Sequence, residues 1–183
     1  QNLLYFKGLL ESLRGKSAPV TVETTVMSTD YEPITGRYFS LDVEDQAHRI
    51  YVEEAGEGIP LVCLHTAGSD GRQFRHLMCD PAITDHYRVI AFDMPWHGKS
   101  NPPVGWESET YQLTTEGYKK TIRAFCAAMN LDRPAIMGCS MGGRVVLHLA
   151  LDHAEEFRAV IALEGADRLQ PYYDTSWLNR PDV

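Results

Sequence analysis

The residues best placed to do chemistry are Gly138-Cys139-Ser140-Met141-Gly142. They fit G-x-S-x-G, the nucleophile elbow, which sets a serine on a very tight turn between a strand and a helix. Pro134-Ala-Ile-Met137 reads as the short buried strand before it, and Val145, Val146, Leu149 and Ala150 as the apolar face of the helix after it. The two glycines have a steric task. A side chain at 138 or 142 would strike the neighbouring strand or helix as the turn closes. The turn lifts the Ser140 hydroxyl clear of the sheet edge, and the helix N-terminus beneath it stabilises developing negative charge.

Other chemically capable residues cluster after apolar runs. His65-Thr-Ala-Gly68 follows Pro60-Leu-Val-Cys-Leu64, and Asp93-Met-Pro-Trp-His-Gly98 follows Tyr87-Arg-Val-Ile-Ala-Phe92. Glu164-Gly-Ala-Asp167 follows Phe157 to Leu163. Runs this short and continuously apolar suit strands buried on both faces. In an open parallel sheet, ligands bind beyond the carboxyl ends of the strands. Four such ends would bring these residues to one rim.

The elements that must build the rim follow in order. Tyr38 to Val43 and His48 to Glu53 suggest a hairpin joined by Glu44-Asp-Gln-Ala47. Asp70 and Gln73 have the spacing of a capping box before Phe74, Leu77 and Met78, with Asp80-Pro81 as a stop. Tyr118, Ile122, Phe125, Cys126 and Met129 recur at helical spacing. The alternation of strand and helix after the hairpin predicts an α/β fold. Its sheet is mostly parallel and doubly wound, with helices on both faces and an antiparallel N-terminal hairpin. Residues 1–35 form an N-terminal arm and linker, 36–168 the core, and 169–183 the start of a cap or a linker onward. Residues 1–16 suit a short amphipathic helix, either a packing arm, or a lid or dimer contact in a homo-oligomer.

At 183 residues the chain can bury a sizeable core. Its 17 Lys and Arg against 25 Asp and Glu give a net charge of −8, which argues against nucleic acid and anionic membrane partners. No apolar run approaches the roughly 20 residues of a membrane span. Cys63, Cys79, Cys126 and Cys139 are far apart, with no C-x-x-C pair. Reduced thiols in a cytoplasmic protein are expected, with no metal site and no cofactor.

Leu64-His-Thr-Ala-Gly68, Asp93-Met-Pro-Trp-His-Gly-Lys-Ser100 and the elbow at Ser140 together resemble the α/β-hydrolase superfamily over about residues 36–168. The resemblance implies that Ser140 is the nucleophile. It implies an oxyanion hole formed by the backbone N–H groups of Met141 and Ala67. Thr66 stands where the family usually has glycine. Glu164 matches the place of the triad acid in some relatives, with a structural carboxylate as its alternative, and Asp167 is a weaker candidate. His65, Thr66, Trp96 and His97 are assigned to substrate binding. Loop shaping is the alternative for His65, and loop packing for Trp96 and His97. Asp93 is expected to tie its own turn, and Cys139 to be a buried thiol.

The family's order is Ser…Asp/Glu…His. After Ser140 only His148 and His153 follow, both on the helix behind the elbow. The resemblance therefore implies a hydrolase core lacking its last strands. The chain is expected to be the N-terminal portion of a longer hydrolase, its catalytic histidine supplied by residues absent here, either on a companion polypeptide after cleavage near Val183 or on a remainder lost from it. The expected reaction is hydrolysis of a small-molecule ester, lactone, amide or ketone-adjacent C–C bond through an acyl-enzyme. Serine at 140 disfavours dehalogenase and epoxide-hydrolase chemistry, which use a carboxylate. The alternatives are a non-catalytic small-molecule receptor, or a fragment that functions only by assembling with its missing half. In that fragment Phe157 to Leu163 would be an uncovered apolar edge.

Overall fold

A computed structural model describes residues 31–108 and 114–165. The chain begins with an antiparallel hairpin, β1 (Thr35–Val43) and β2 (Gln46–Ala55). Val43 pairs with Gln46, so the turn is only Glu44-Asp45, with φ of 53° and 64°. Both central residues are left-handed, as the right-handed twist of a two-residue hairpin requires. The expected four-residue loop is therefore shorter, and both strands are longer. Asn-Gly is the usual signal for this turn, and Glu-Asp does not carry it.

β3 (Ile59–Leu64), β4 (Tyr87–Phe92), β5 (Ala135–Cys139) and β6 (Ala159–Leu163) complete a six-stranded sheet of order β1-β2-β4-β3-β5-β6. β2 meets β4 antiparallel; β4, β3, β5 and β6 run parallel. The α/β class and the antiparallel entry are as the sequence predicts.

Side chains alternate between the two faces of each strand. Val62, Leu64, Ile90 and Phe92 face one layer with α3 (Thr115–Ala128) and α4 (Met141–Asp152). Phe92 stacks on Phe125 of α3 with ring centroids 4.0 Å apart. Leu61, Cys63, Val89 and Ala91 face the other layer, with Phe74 and Met78. Burial on both faces explains why the strands read as unbroken apolar runs. Burial also pushes the Cys63 and Cys126 thiols up to about 12. Cys79 is exposed and Cys139 half-buried, so not every cysteine is a core thiol.

The segment after Asp70 is not one helix. It is a 3₁₀ turn, Gly71–Phe74, running into α1 (Arg75–Met78). Asp70 caps it by accepting from the Arg72 N–H. Asp80-Pro81 stops α1 and also starts α2 (Pro81–Thr84), where Asp80 accepts from the Ala82 N–H and Pro81 needs no partner. Arg75 binds Glu53 of β2 at 2.6 Å, pinning this layer to the sheet. The arginine holds the buried Glu53 carboxyl below its ordinary range, against the opposing effect of burial.

Candidate active site

Ser140 is exposed and has φ 52° and ψ −108°, a conformation an L-residue adopts only under constraint. The constraint is visible on every side. A Cβ on Gly138 would lie 2.3 Å from the Gly142 backbone, and one on Gly142 would lie 2.4 Å from the Leu64 carbonyl. Neither contact could relax by moving a side chain, so both positions require glycine. The Ser140 N–H donates to the Leu163 carbonyl at 2.9 Å, and its own carbonyl accepts from the Arg144 N–H at 2.8 Å. The strained turn is thus bolted to β6 and to the first turn of α4.

Strand register sets the neighbours. Leu64 pairs with Gly138 on one side of β5, and Cys139 pairs with Leu163 on the other. The loop after β3 therefore flanks Ser140 on one side. Glu164, exposed and left-handed at φ 50°, flanks it on the other. Met141 opens α4, where the first N–H groups of a helix have no internal acceptor. These N–H groups and the exposed hydroxyl share one rim.

The β3 loop is held from within. His65 is only 1% exposed. Its Nδ1 donates to the Thr66 carbonyl at 2.8 Å, and its Nε2 accepts from the Met94 N–H at 3.1 Å. Both ring nitrogens are occupied by backbone, which sets the tautomer. Burial is the main cause that lowers the affinity of His65 for a second proton, against the opposing Thr66 bond. This is the arrangement of a loop-shaping imidazole. A trans peptide points its C=O and its N–H in opposite directions. With the Thr66 carbonyl drawn onto His65, the Ala67 N–H on the same peptide unit points away from that ring. Ala67 itself is exposed.

Asp93 does more than tie its own turn. Its Oδ2 accepts from the Lys99 N–H at 2.7 Å, and its Oδ1 accepts from the Gly71 N–H at 2.7 Å. One buried carboxylate thus joins the loop after β4 to the 3₁₀ turn after β3. Gly98 is needed beside it, since a Cβ there would fall 2.2 Å from Asp93 Oδ2. His97 packs its ring 4.9 Å from that of His65 and engages the Pro95 carbonyl through Nδ1. Trp96, left-handed at φ 71°, meets Trp106 edge-on at 5.4 Å. Asp167, Tyr172, Tyr173, Trp177 and the residue 1–16 arm lie outside the described residues.

Sequence reasoning missed Gln73. Its spacing from Asp70 suggested a cap, but its Oε1 accepts from the Thr66 N–H at 3.0 Å. A capping-box pattern and a loop tether look the same in one dimension. His153, Glu155 and Glu156 gather within 4.8 Å at the far end of α4 from Ser140. Glu156 there is gripped by both nitrogens of the Arg123 fork, so the group is an ion-pair cluster.

An open sheet with a strained serine between a parallel strand and a helix defines the class, and comparison agrees: residues 59–182 match the alpha/beta hydrolase fold family, to which this chain belongs. It is 32% identical over 117 residues to 2-hydroxy-6-oxo-6-(2'-aminophenyl)hexa-2,4-dienoic acid hydrolase of Metapseudomonas resinovorans, covering 62% of this chain and 38% of that protein. It is also 32% identical over 117 residues to a pimeloyl-[acyl-carrier protein] methyl ester esterase of Aeromonas hydrophila subsp. hydrophila, covering 64% of this chain and 42% of that one. The chain thus spans about 40% of the length of these relatives. Among solved structures, a thermophilic esterase from Thermogutta terrifontis superposes with a TM-score of 0.64 at 19% identity, over 74% of this chain and 48% of that one. That likeness bears on the fold alone. No helix among the described residues is long and apolar enough to cross a membrane.

Proposed function

We propose that this chain carries the nucleophile and oxyanion hole of a serine hydrolase acting on a small-molecule ester, lactone, amide or ketone-adjacent C–C bond. The observation that carries the reading is the constrained, exposed Ser140 at the start of α4. In the proposed reaction Ser140 Oγ attacks the electrophilic carbon and its proton passes to a histidine nitrogen. The charge that develops on the substrate oxygen is held by the Met141 and Ala67 N–H groups. The scissile bond then breaks, the leaving group takes the proton, and water hydrolyses the acyl-enzyme. Glu164 is the proposed acid that orients the histidine. Thr66, Trp96 and His97 are proposed to line the substrate side, while His65 shapes the loop from beneath.

The histidine itself is proposed to come from a companion polypeptide. His65 has both ring nitrogens engaged, and His97 directs Nδ1 to backbone. His153 lies at the far end of α4 beside Glu156. β6 supports the same idea. Among the described residues it pairs only with β5, and its Ile161 and Leu163 are 42% and 44% exposed. A cytoplasmic setting and the absence of a cofactor are part of this reading.

Labelling with a fluorophosphonate tests it. With the rest of the fold supplied, wild type should be modified at Ser140, and Ser140→Ala should not be modified at all. Peptide mapping that finds no adduct at Ser140 even with the rest of the fold supplied would favour a non-catalytic receptor.

A further inference from the structure

We propose that Gln73 is a positioning residue: its side-chain amide clamps the Thr66 peptide and so sets the direction in which the Ala67 N–H points. The proposal rests on the reading of Ala67 as an oxyanion donor.

Thr66 is held by side chains at both ends of its backbone. Gln73 Oε1 takes its N–H at 3.0 Å, and His65 Nδ1 donates to its carbonyl at 2.8 Å. The first bond fixes the peptide plane before the Thr66 Cα, and the second fixes the plane after it. Two planar units pinned on either side of one Cα leave its two torsions little freedom. The Ala67 N–H belongs to the second plane, so its aim depends on both clamps. Thr66 stands where the family's usual glycine would be, which makes an external tether for this backbone more consequential.

Gln73 stands on a firm base. Its 3₁₀ turn is capped by Asp70, and the Gly71 N–H at its start is anchored by Asp93 Oδ1 at 2.7 Å. The next residue, Phe74, is 5% exposed in the core. The Gln73 backbone is therefore fixed, and only its own rotamers need ordering. Its side chain is exposed to water, which competes for the same N–H. The net effect of such a bond is modest, so losing it should change rates roughly three- to tenfold rather than abolish activity.

The test uses two measurements: amide hydrogen exchange of Thr66 by NMR on the 183-residue chain, and fluorophosphonate labelling of Ser140 across reagent concentration on that chain assembled with the histidine-bearing remainder of the fold. In Gln73→Leu the saturating labelling rate should fall roughly three- to tenfold with the half-saturating concentration unchanged, and Thr66 should exchange faster by a similar factor. Exchange elsewhere and the melting temperature should hold. Gln73→Glu keeps an acceptor oxygen and should keep Thr66 protected. Unchanged Thr66 exchange in Gln73→Leu would overturn the clamp. Faster exchange with an unchanged labelling rate would overturn its role in aiming Ala67. If wild type assembled with the remainder of the fold is not labelled, the hydrolase reading fails by that result. The exchange data on the two variants then decide the clamp by themselves.

Discussion

At the scale of single residues, the rim is governed by backbone that side chains hold in place. His65 illustrates how a histidine in the loop after β3 can have both ring nitrogens taken by backbone. Burial keeps it neutral, and its neutral form has one donor and one acceptor for the two backbone groups it meets. Protonation would turn Nε2 into a donor facing the Met94 N–H. Its folded-state pKa lies below its ordinary 6.5. As pH falls below about 6.5 the unfolded chain therefore binds the proton first. The stability that His65 contributes is complete above that pH and is lost as pH falls toward the folded-state value. Asp70 and Asp93 face the ring and pull the other way, and His97 reinforces the depression. Urea midpoints from about pH 7 to pH 5 should thus fall further for wild type than for His65→Gln. Equal losses in the two proteins would show that His65 does not titrate as a buried neutral group.

At the scale of elements, the β1–β2 hairpin carries a strain its sequence does not advertise. Two consecutive non-glycine residues in left-handed conformation, Glu44 and Asp45, cost on the order of 1–2 kcal/mol each. Glu44 also meets Lys120 of α3 at 2.5 Å, with both side chains well exposed. An exposed pair of that kind is worth roughly 0–1 kcal/mol, so relief of strain should win over loss of the pair. Replacing the turn by Asn-Gly, as Glu44→Asn with Asp45→Gly, should raise stability by about 1 kcal/mol in chemical denaturation. A decrease would mean that the contact to α3 outweighs the turn.

At the scale of the whole molecule, the sheet is unequal at its two edges. β1 carries Arg37 and Asp42, while among the described residues β6 pairs only with β5 and presents Ile161 and Leu163. Edges of that kind template pairing with another chain. Ile161→Lys should shift sedimentation-velocity profiles of the isolated chain toward smaller species. Because the side chain is 42% exposed, folding stability should change by no more than about 0.5 kcal/mol. Profiles that match wild type across a concentration series would remove β6 as the associating edge. With the companion supplied, the same substitution should weaken assembly, since the proposed partner would add its strand there.

The sequence by itself determined the sheet, the elbow and the order of loops along the rim. Apolar runs buried on two faces, helical spacing and G-x-S-x-G are local patterns, and each is enforced by sterics or burial within a few residues. The need for glycine at 138 is also local, set by the Gly142 backbone of the same turn, whereas the need at 142 comes from the Leu64 carbonyl of β3. Only the tertiary structure decided what holds the rim. The Asp93 carboxylate spans two loops 22 residues apart, Gln73 turns from cap to tether, and both His65 nitrogens are filled by backbone. A side-chain amide or carboxylate has several equivalent acceptor sites, and nothing in its own neighbourhood says which donor will reach it. That choice is made when β3 and β4 pair in parallel and bring their following loops side by side.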